Sequence, residues 1–119
     1  GQKDLSIQQT KQIMKSNKII GVTCHNSKEL ALSAEKYGAS YLAFGSFFKT
    51  KTKKTKFKAG PKLLQWAHKN LKTPVVAIGG INEENYKLLL QNGAKYIACS
   101  SYIWKNSKYN PLKALNQLK

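Results

Sequence analysis

Two stretches of this chain repeat one another. Residues 19–46 and 75–101 each run through an apolar strand-like segment, an Asn, a helix-patterned segment, a Gly and a second apolar segment. The second segments nearly coincide, Gly38-Ala39-Ser40-Tyr41-Leu42-Ala43 against Gly93-Ala94-Lys95-Tyr96-Ile97-Ala98. Continuous apolar runs alternating with helices point to parallel strands in βα units. A duplicated βα pair fits a barrel built by repetition or a doubly wound sheet.

Local signals place the elements. Ser6 with Gln9 forms a capping-box pattern for a first helix. Residues 18–23 read as a first strand. Asn26 then caps a second helix with Glu29 as its partner. Leu30, Leu32, Ala34 and Tyr37 give that helix its apolar surface, and Gly38 ends it. Residues 41–45 form a second strand, and a basic loop follows from Ser46 to Gly60. Pro61 suits the first turn of a third helix running to about Leu71. Residues 74–78 make a third strand, closed by Gly79-Gly80. Asn82 caps a fourth helix that stops near Gly93. Residues 96–99 are a fourth strand, and Pro111 opens a terminal amphipathic helix with Leu112, Leu115 and Leu118.

Four parallel strands cannot close on themselves, and both sheet edges would stay unpaired. A (β/α)8 barrel needs eight strands and typically about 250 residues, whereas this chain has 119. The fold class expected is therefore α/β, with repeated parallel βα units making half a barrel. Another copy or a missing half would complete it; a small open sheet is the alternative. Residues 1–119 are read as a single partial-barrel domain. The first residue is Gly rather than Met, which points to a processed chain or a piece of a longer one.

Composition narrows the partners. The chain has 21 basic residues against 5 acidic ones, a net charge of +16, and every basic residue is lysine. Such a charge favours anionic partners: nucleic acid, membrane headgroups or phosphorylated small molecules. The lack of arginine weighs against forked readout of guanine. No apolar run approaches the roughly 18 residues of a membrane span, and the polar first residues do not resemble a signal peptide. Cys24 and Cys99 lie in apolar strands without metal-ligand spacing. They read as buried thiols of a cytoplasmic protein.

In βα folds, ligands bind at the carboxyl ends of the strands. Thr23, Cys24, His25 and Asn26 lie there after the first strand, and Ser46 to Lys54 after the second. Gly79 and Gly80 follow the third strand, where backbone N–H groups can approach a ligand. Ser100 and Ser101 follow the fourth and add N–H and hydroxyl donors. A phosphate site fits these last two tips; a plain turn with capping serines is the simpler reading. Between Lys49 and Lys56 lysines and threonines alternate, which in an extended chain puts hydroxyls on one side and ammoniums on the other. That face suits a phosphate or diphosphate. Flanked by Phe47, Phe48 and Phe57, it also suits stacked bases, and a solvated charge run is the third reading. His25 is a possible acid or base, and Asp4 is a metal ligand or a helix-start carboxylate.

Four segments carry a resemblance when taken in order: Gly1-Gln2-Lys3-Asp4, Gly21-Val22-Thr23-Cys24-His25-Asn26, Gly45 through Lys53, and Ala77-Ile78-Gly79-Gly80-Ile81. Together they resemble the carboxyl-terminal half of thiamine-phosphate synthase, in the superfamily shared with the TenI thiazole tautomerases. The resemblance implies a (β/α)8 barrel that joins hydroxymethylpyrimidine diphosphate to thiazole phosphate and releases diphosphate with Mg2+. It implies Asp4 as a Mg2+ ligand and Thr23 beside the pyrimidine and its diphosphate. It places Lys53 on that diphosphate and Thr50 and Thr52 on the thiazole phosphate. It puts Gly79, Gly80, Ser100 and Ser101 in or beside the thiazole-phosphate pocket. Lys53 and Thr23 are thus the expected catalytic residues. Lys3 departs from the acidic residue common in the family, and Ser46 and Lys49 from common prolines. The family's first half, with its basic diphosphate grip and an Asn-Asp pair that shares the metal, is not in this chain. The chain alone is expected to be inactive or very weak. A TenI-like tautomerase using His25 is one alternative, and a basic nucleic-acid module, less favoured, is another.

Overall fold

The computed structural model describes residues 4–14, 17–50 and 58–119. Its elements run α1 (Ile7–Ile13), β1 (Gly21–His25), α2 (Lys28–Lys36), β2 (Tyr41–Phe44), α3 (Pro61–Asn70), β3 (Val75–Ile78), α4 (Tyr86–Gln91), β4 (Tyr96–Ala98), α5 (Ser101–Trp104) and α6 (Pro111–Asn116). The four strands form one parallel sheet in the order β1-β2-β3-β4. Each connection between neighbouring strands contains one helix, so the expected α/β class and parallel βα units are present.

The repeat is visible in the ladder itself. β1 pairs with β2 as Gly21↔Tyr41, Val22↔Leu42 and Thr23↔Ala43. β3 pairs with β4 as Val76↔Tyr96, Ala77↔Ile97 and Ile78↔Ala98. One constant offset along the chain converts the first set into the second. The joint between the two pairs is Leu42↔Val75, Ala43↔Val76 and Phe44↔Ala77.

Alternation along the strands sends one set of side chains to the helices. Leu42, Phe44, Val75, Ala77 and Cys24 are buried there, against Ala31 and Ala34 of α2, Leu64 and Ala67 of α3 and Leu89 of α4. The other face carries Tyr41, Ala43, Val76, Ile78, Tyr96 and Ala98. Tyr41, Ile78 and Tyr96 on it are substantially exposed. Burial pushes the Cys24 thiol up to about 11 and raises that of half-buried Cys99. Both cysteines are free.

Several local expectations hold. Ser6 and Gln9 make the reciprocal capping box, Pro61 opens α3, and Gly38 and Gly93 take positive φ at the ends of α2 and α4. Others are corrected. Ser27, not Asn26, caps α2 by accepting from the Leu30 N–H; the Asn26 side chain instead donates to the Lys58 carbonyl. Ile19 lies outside the first strand and is exposed. The Ile20 N–H turns to the Ser40 hydroxyl, and the strand begins at Gly21. α2 packs through Ala31 and Ala34 while Leu30, Leu32 and Tyr37 face outward. α6 buries Ala114 and leaves Leu112 and Leu115 exposed. Asn82 accepts from the Glu84 and Asn85 N–H groups in a turn that precedes α4. Among the described residues no helix is long and apolar enough to cross a membrane.

Candidate functional site at the strand tips

All four strands point the same way, so their carboxyl ends share one edge of the sheet. The tip of β2 is welded to the tip of β3. The Phe47 N–H donates to the Ile78 carbonyl at 3.3 Å, and the Phe48 N–H to the Gly79 carbonyl at 3.1 Å. Buried Ser46 donates its hydroxyl to the Phe48 carbonyl at 2.6 Å, which holds the turn.

Two glycines make this approach possible. Gly79 and Gly80 have φ of 103° and 66°. A side chain on Gly79 would strike the Ser46 hydroxyl. A methyl group on Gly80 would lie 2.6 Å from the Lys49 carbonyl oxygen and 2.8 Å from Phe48 Cβ. The structure thus brings Phe48 and Lys49, at the start of the basic loop, against Gly80; Thr50, next along the chain, is half-buried.

The far end of the loop returns to the same place. The Ala59 N–H donates to the Ser46 carbonyl at 2.9 Å, and Asn26 holds the Lys58 carbonyl at 3.3 Å. The lysine-rich stretch therefore leaves and re-enters over the tips of β1, β2 and β3. Lys53 and Thr52 lie outside the described residues, as does Phe57. Phe47 and Phe48 are half-buried and pack against the core.

Gly80 and Ser100 each lie two residues beyond the paired Ile78 and Ala98, which sets them at one level on adjacent tips. Ser100 is exposed and Ser101 half-buried; the Ser100 carbonyl accepts from the Ile103 and Trp104 N–H groups of α5. Thr23 sits lower, exposed on the uncovered face of β1 and in register with Ala43. His25 ends β1 with φ of 54°, half-buried, its carbonyl accepting from the Gly45 N–H. Asp4 is exposed, two residues before the Ser6 cap. Among the described residues no cluster of three metal-binding side chains occurs.

Sequence reasoning missed Asn85. Its side-chain amide donates to the Gly80 carbonyl at 3.1 Å, and its oxygen accepts from the Asn82 N–H at 2.9 Å. It fixes the glycine turn from behind. A second unforeseen cluster stands beside it. The Tyr102 hydroxyl reaches Glu83 at 3.3 Å, and the Lys108 ammonium lies 3.9 Å from the same carboxylate. These residues tie the β4 tip to the β3 tip. Burial, then the neighbouring Glu83 charge, raises the Tyr102 phenol above its usual range. An Asn at the end of a glycine turn was the available signal for the first. The second depends on a contact across two loops.

The arrangement sets the Gly79-Gly80 backbone, two serines and the two anchored ends of a lysine-rich loop along one edge. That combination suits phosphorylated ligands. The family model described as thiamine monophosphate synthase matches residues 1–103. A thiamine-phosphate synthase of Pelagibacter ubique (strain HTCC1062) is 53% identical over 119 residues, 100% of this chain and 57% of the relative. One from Rhodospirillum centenum (strain ATCC 51521 / SW) is 42% identical over 106 residues, 89% of this chain and 51% of the relative. The solved thiamine phosphate pyrophosphorylase from Pyrococcus furiosus superposes with a TM-score of 0.84 at 37% identity, over 98% of this chain and 54% of that one. The chain spans about half the length of these relatives. With the glycine turn, the loop's two anchors and the repeated sheet in the structure, the match over most of its length means that this chain belongs to the thiamine monophosphate synthase family.

Proposed function

We propose that residues 1–119 act as one partial-barrel unit of an enzyme that condenses hydroxymethylpyrimidine diphosphate with thiazole phosphate. The observation that supports it most is the tethering of the Lys49–Lys58 loop against Gly79-Gly80 in a chain of this family. In this reading the carbon–oxygen bond of the pyrimidine methylene breaks and diphosphate leaves with the electron pair. The thiazole nitrogen then forms the new carbon–nitrogen bond to the cationic methylene. Lys53 stabilises the departing charge, the electrostatic contribution that usually dominates such chemistry. Thr23 orients the pyrimidine. Thr50 and Thr52 with Gly79, Gly80, Ser100 and Ser101 hold the thiazole phosphate, and that anchoring supplies positioning.

Mg2+ is ordinarily held by one or two carboxylates together with phosphate oxygens and water. Exposed Asp4 fits as one such hard-oxygen ligand from this chain. Bound there, the ion would neutralise charge on the diphosphate. Activity then requires the rest of the barrel, as a second copy or as an amino-terminal half.

The test is Lys53→Ala in a full-length context. Condensation should fall at least about 100-fold with an unchanged circular dichroism spectrum; normal turnover refutes the assignment. His25→Ala separates the tautomerase reading, because it should cripple proton shuttling on a thiazole and only dent condensation.

A further inference from the structure

Past their last paired residues the strands are tied together in two ways. β2 and β3 are joined through the backbone, by the Phe47 and Phe48 N–H groups. β3 and β4, whose last pair is Ile78↔Ala98, are joined further on by side chains, with the Tyr102 hydroxyl donating to Glu83 at 3.3 Å. We infer that Tyr102 and Glu83 are positioning residues: their bond sets the span between the Gly79-Gly80 turn and Ser100-Ser101, and with it the grip on the phosphate of the thiazole substrate. The inference rests on the reading of those two tips as the thiazole-phosphate seat.

Glu83 is fastened to the glycine turn. The Asn82 side-chain oxygen accepts from the Glu84 and Asn85 N–H groups at 2.9 and 3.2 Å. The Asn85 side chain accepts from the Asn82 N–H and donates to the Gly80 carbonyl. Glu83 therefore sits inside a closed set of bonds that ends on Gly80. Tyr102 is fastened to the other tip. It directly follows Ser101 in α5, and the Ile103 and Trp104 N–H groups close that turn on the Ser100 carbonyl. The path Gly80, Asn85, Asn82, Glu83, Tyr102, Ser101 thus runs from one side of the seat to the other.

Packing does not hold the span at this point. The two loops face each other across a cavity of about 210 Å³, lined by residues 82–84 on one side and by Tyr102, Asn106, Lys108 and Tyr109 on the other. Side chains that line a void forgo contact across it. Lys108 adds little, since its side chain is 70% exposed and lies 3.9 Å from Glu83. Tyr102 and Glu83 are both half-buried, where a hydrogen bond to a carboxylate is stronger than in water.

The sign of the effect separates this role from a plain electrostatic one. A carboxylate near a phosphate seat repels the ligand, so removing Glu83 as a mere charge should tighten binding. Removing it as half of a clasp should loosen binding. The test uses a full-length context, with calorimetric titration of thiazole phosphate beside steady-state condensation. Tyr102→Phe and Glu83→Ala should each weaken thiazole phosphate about fivefold, in Kd and in KM. The KM for the pyrimidine diphosphate and kcat should stay unchanged. Glu83→Gln, which keeps an accepting oxygen, should bind at least as well as the unsubstituted protein. The double variant should be no weaker than Glu83→Ala alone. Unchanged affinity in both single variants, equal losses for both substrates, or tighter binding by Glu83→Ala overturns the inference, as does an unsubstituted protein that does not bind thiazole phosphate. Normal binding effects in a protein that performs no condensation would instead remove the functional reading and leave the clasp standing.

Discussion

At the constant offset relating the two βα pairs, buried Ala31 falls on buried Tyr86, Ala34 on Leu89, Gly38 on Gly93 and Ala39 on Ala94. Ser27 falls on Asn82, and each side chain accepts from an N–H three residues on. Even the left-handed tip recurs, as His25 at φ 54° and Gly80 at φ 66°. What differs is the space around those tips. Gly80 is pressed by Phe48 and the Lys49 carbonyl, whereas His25 carries a full side chain in the same backbone conformation. The frame repeats, and the two copies differ in what packs around their tips.

The sharpest way to break the comparison is Gly80→Ala. Left-handed strain and the clash with the loop together should cost about 3 kcal/mol, read by urea denaturation; a loss below about 1 kcal/mol would mean the loop yields freely. Next is Asn85→Ala, which removes both bonds behind the glycine turn and should cost about 2 kcal/mol. Its counterpart Leu30 makes no such tie and is half-exposed, so Leu30→Ala should cost about 0.5 kcal/mol or less.

The smallest effect is a pH dependence at the other end of the sheet. Glu35, at the end of α2, accepts from the Lys72 and Thr73 N–H groups at 2.8 and 2.7 Å and so secures the entrance to β3. Burial pulls its carboxyl upward, but the Thr73 and Lys72 donors outweigh it and hold the carboxyl below its usual range. A lowered folded value means stability present above the ordinary Glu range and lost as pH falls through the folded value. Glu35→Gln should flatten that acid limb in denaturation curves taken between about pH 6 and pH 3. The counterpart Leu90 has no carboxylate to titrate, so Leu90→Gln should leave the limb unchanged.

Much of the frame was legible in the sequence because it is set locally. The Ser6–Gln9 box, the Gly38 and Gly93 stops and Pro61 act within a turn of chain, and the doubled Gly-Ala-x-Tyr pattern announced the repeat. Local readings failed where a distant partner decided the outcome. Asn26 was free to cap α2 but is used by the Lys58 carbonyl. The leucines of α2 and α6 have helical spacing, yet alanines make the close contacts with the sheet. The tips could be located from strand ends, and Gly79-Gly80 flagged from composition. The hydrogen bonds from Phe47 and Phe48 to β3 were not readable, because they depend on two loops meeting.

The bond from Ala59 to Ser46 has a further consequence. It pinches the lysine segment at its base, so what lies between can change length without pulling on the strands. Closing a longer loop costs little, about 0.6 kcal/mol per doubling. The length of chain between these two anchors can therefore vary while β1, β2 and β3 keep their register.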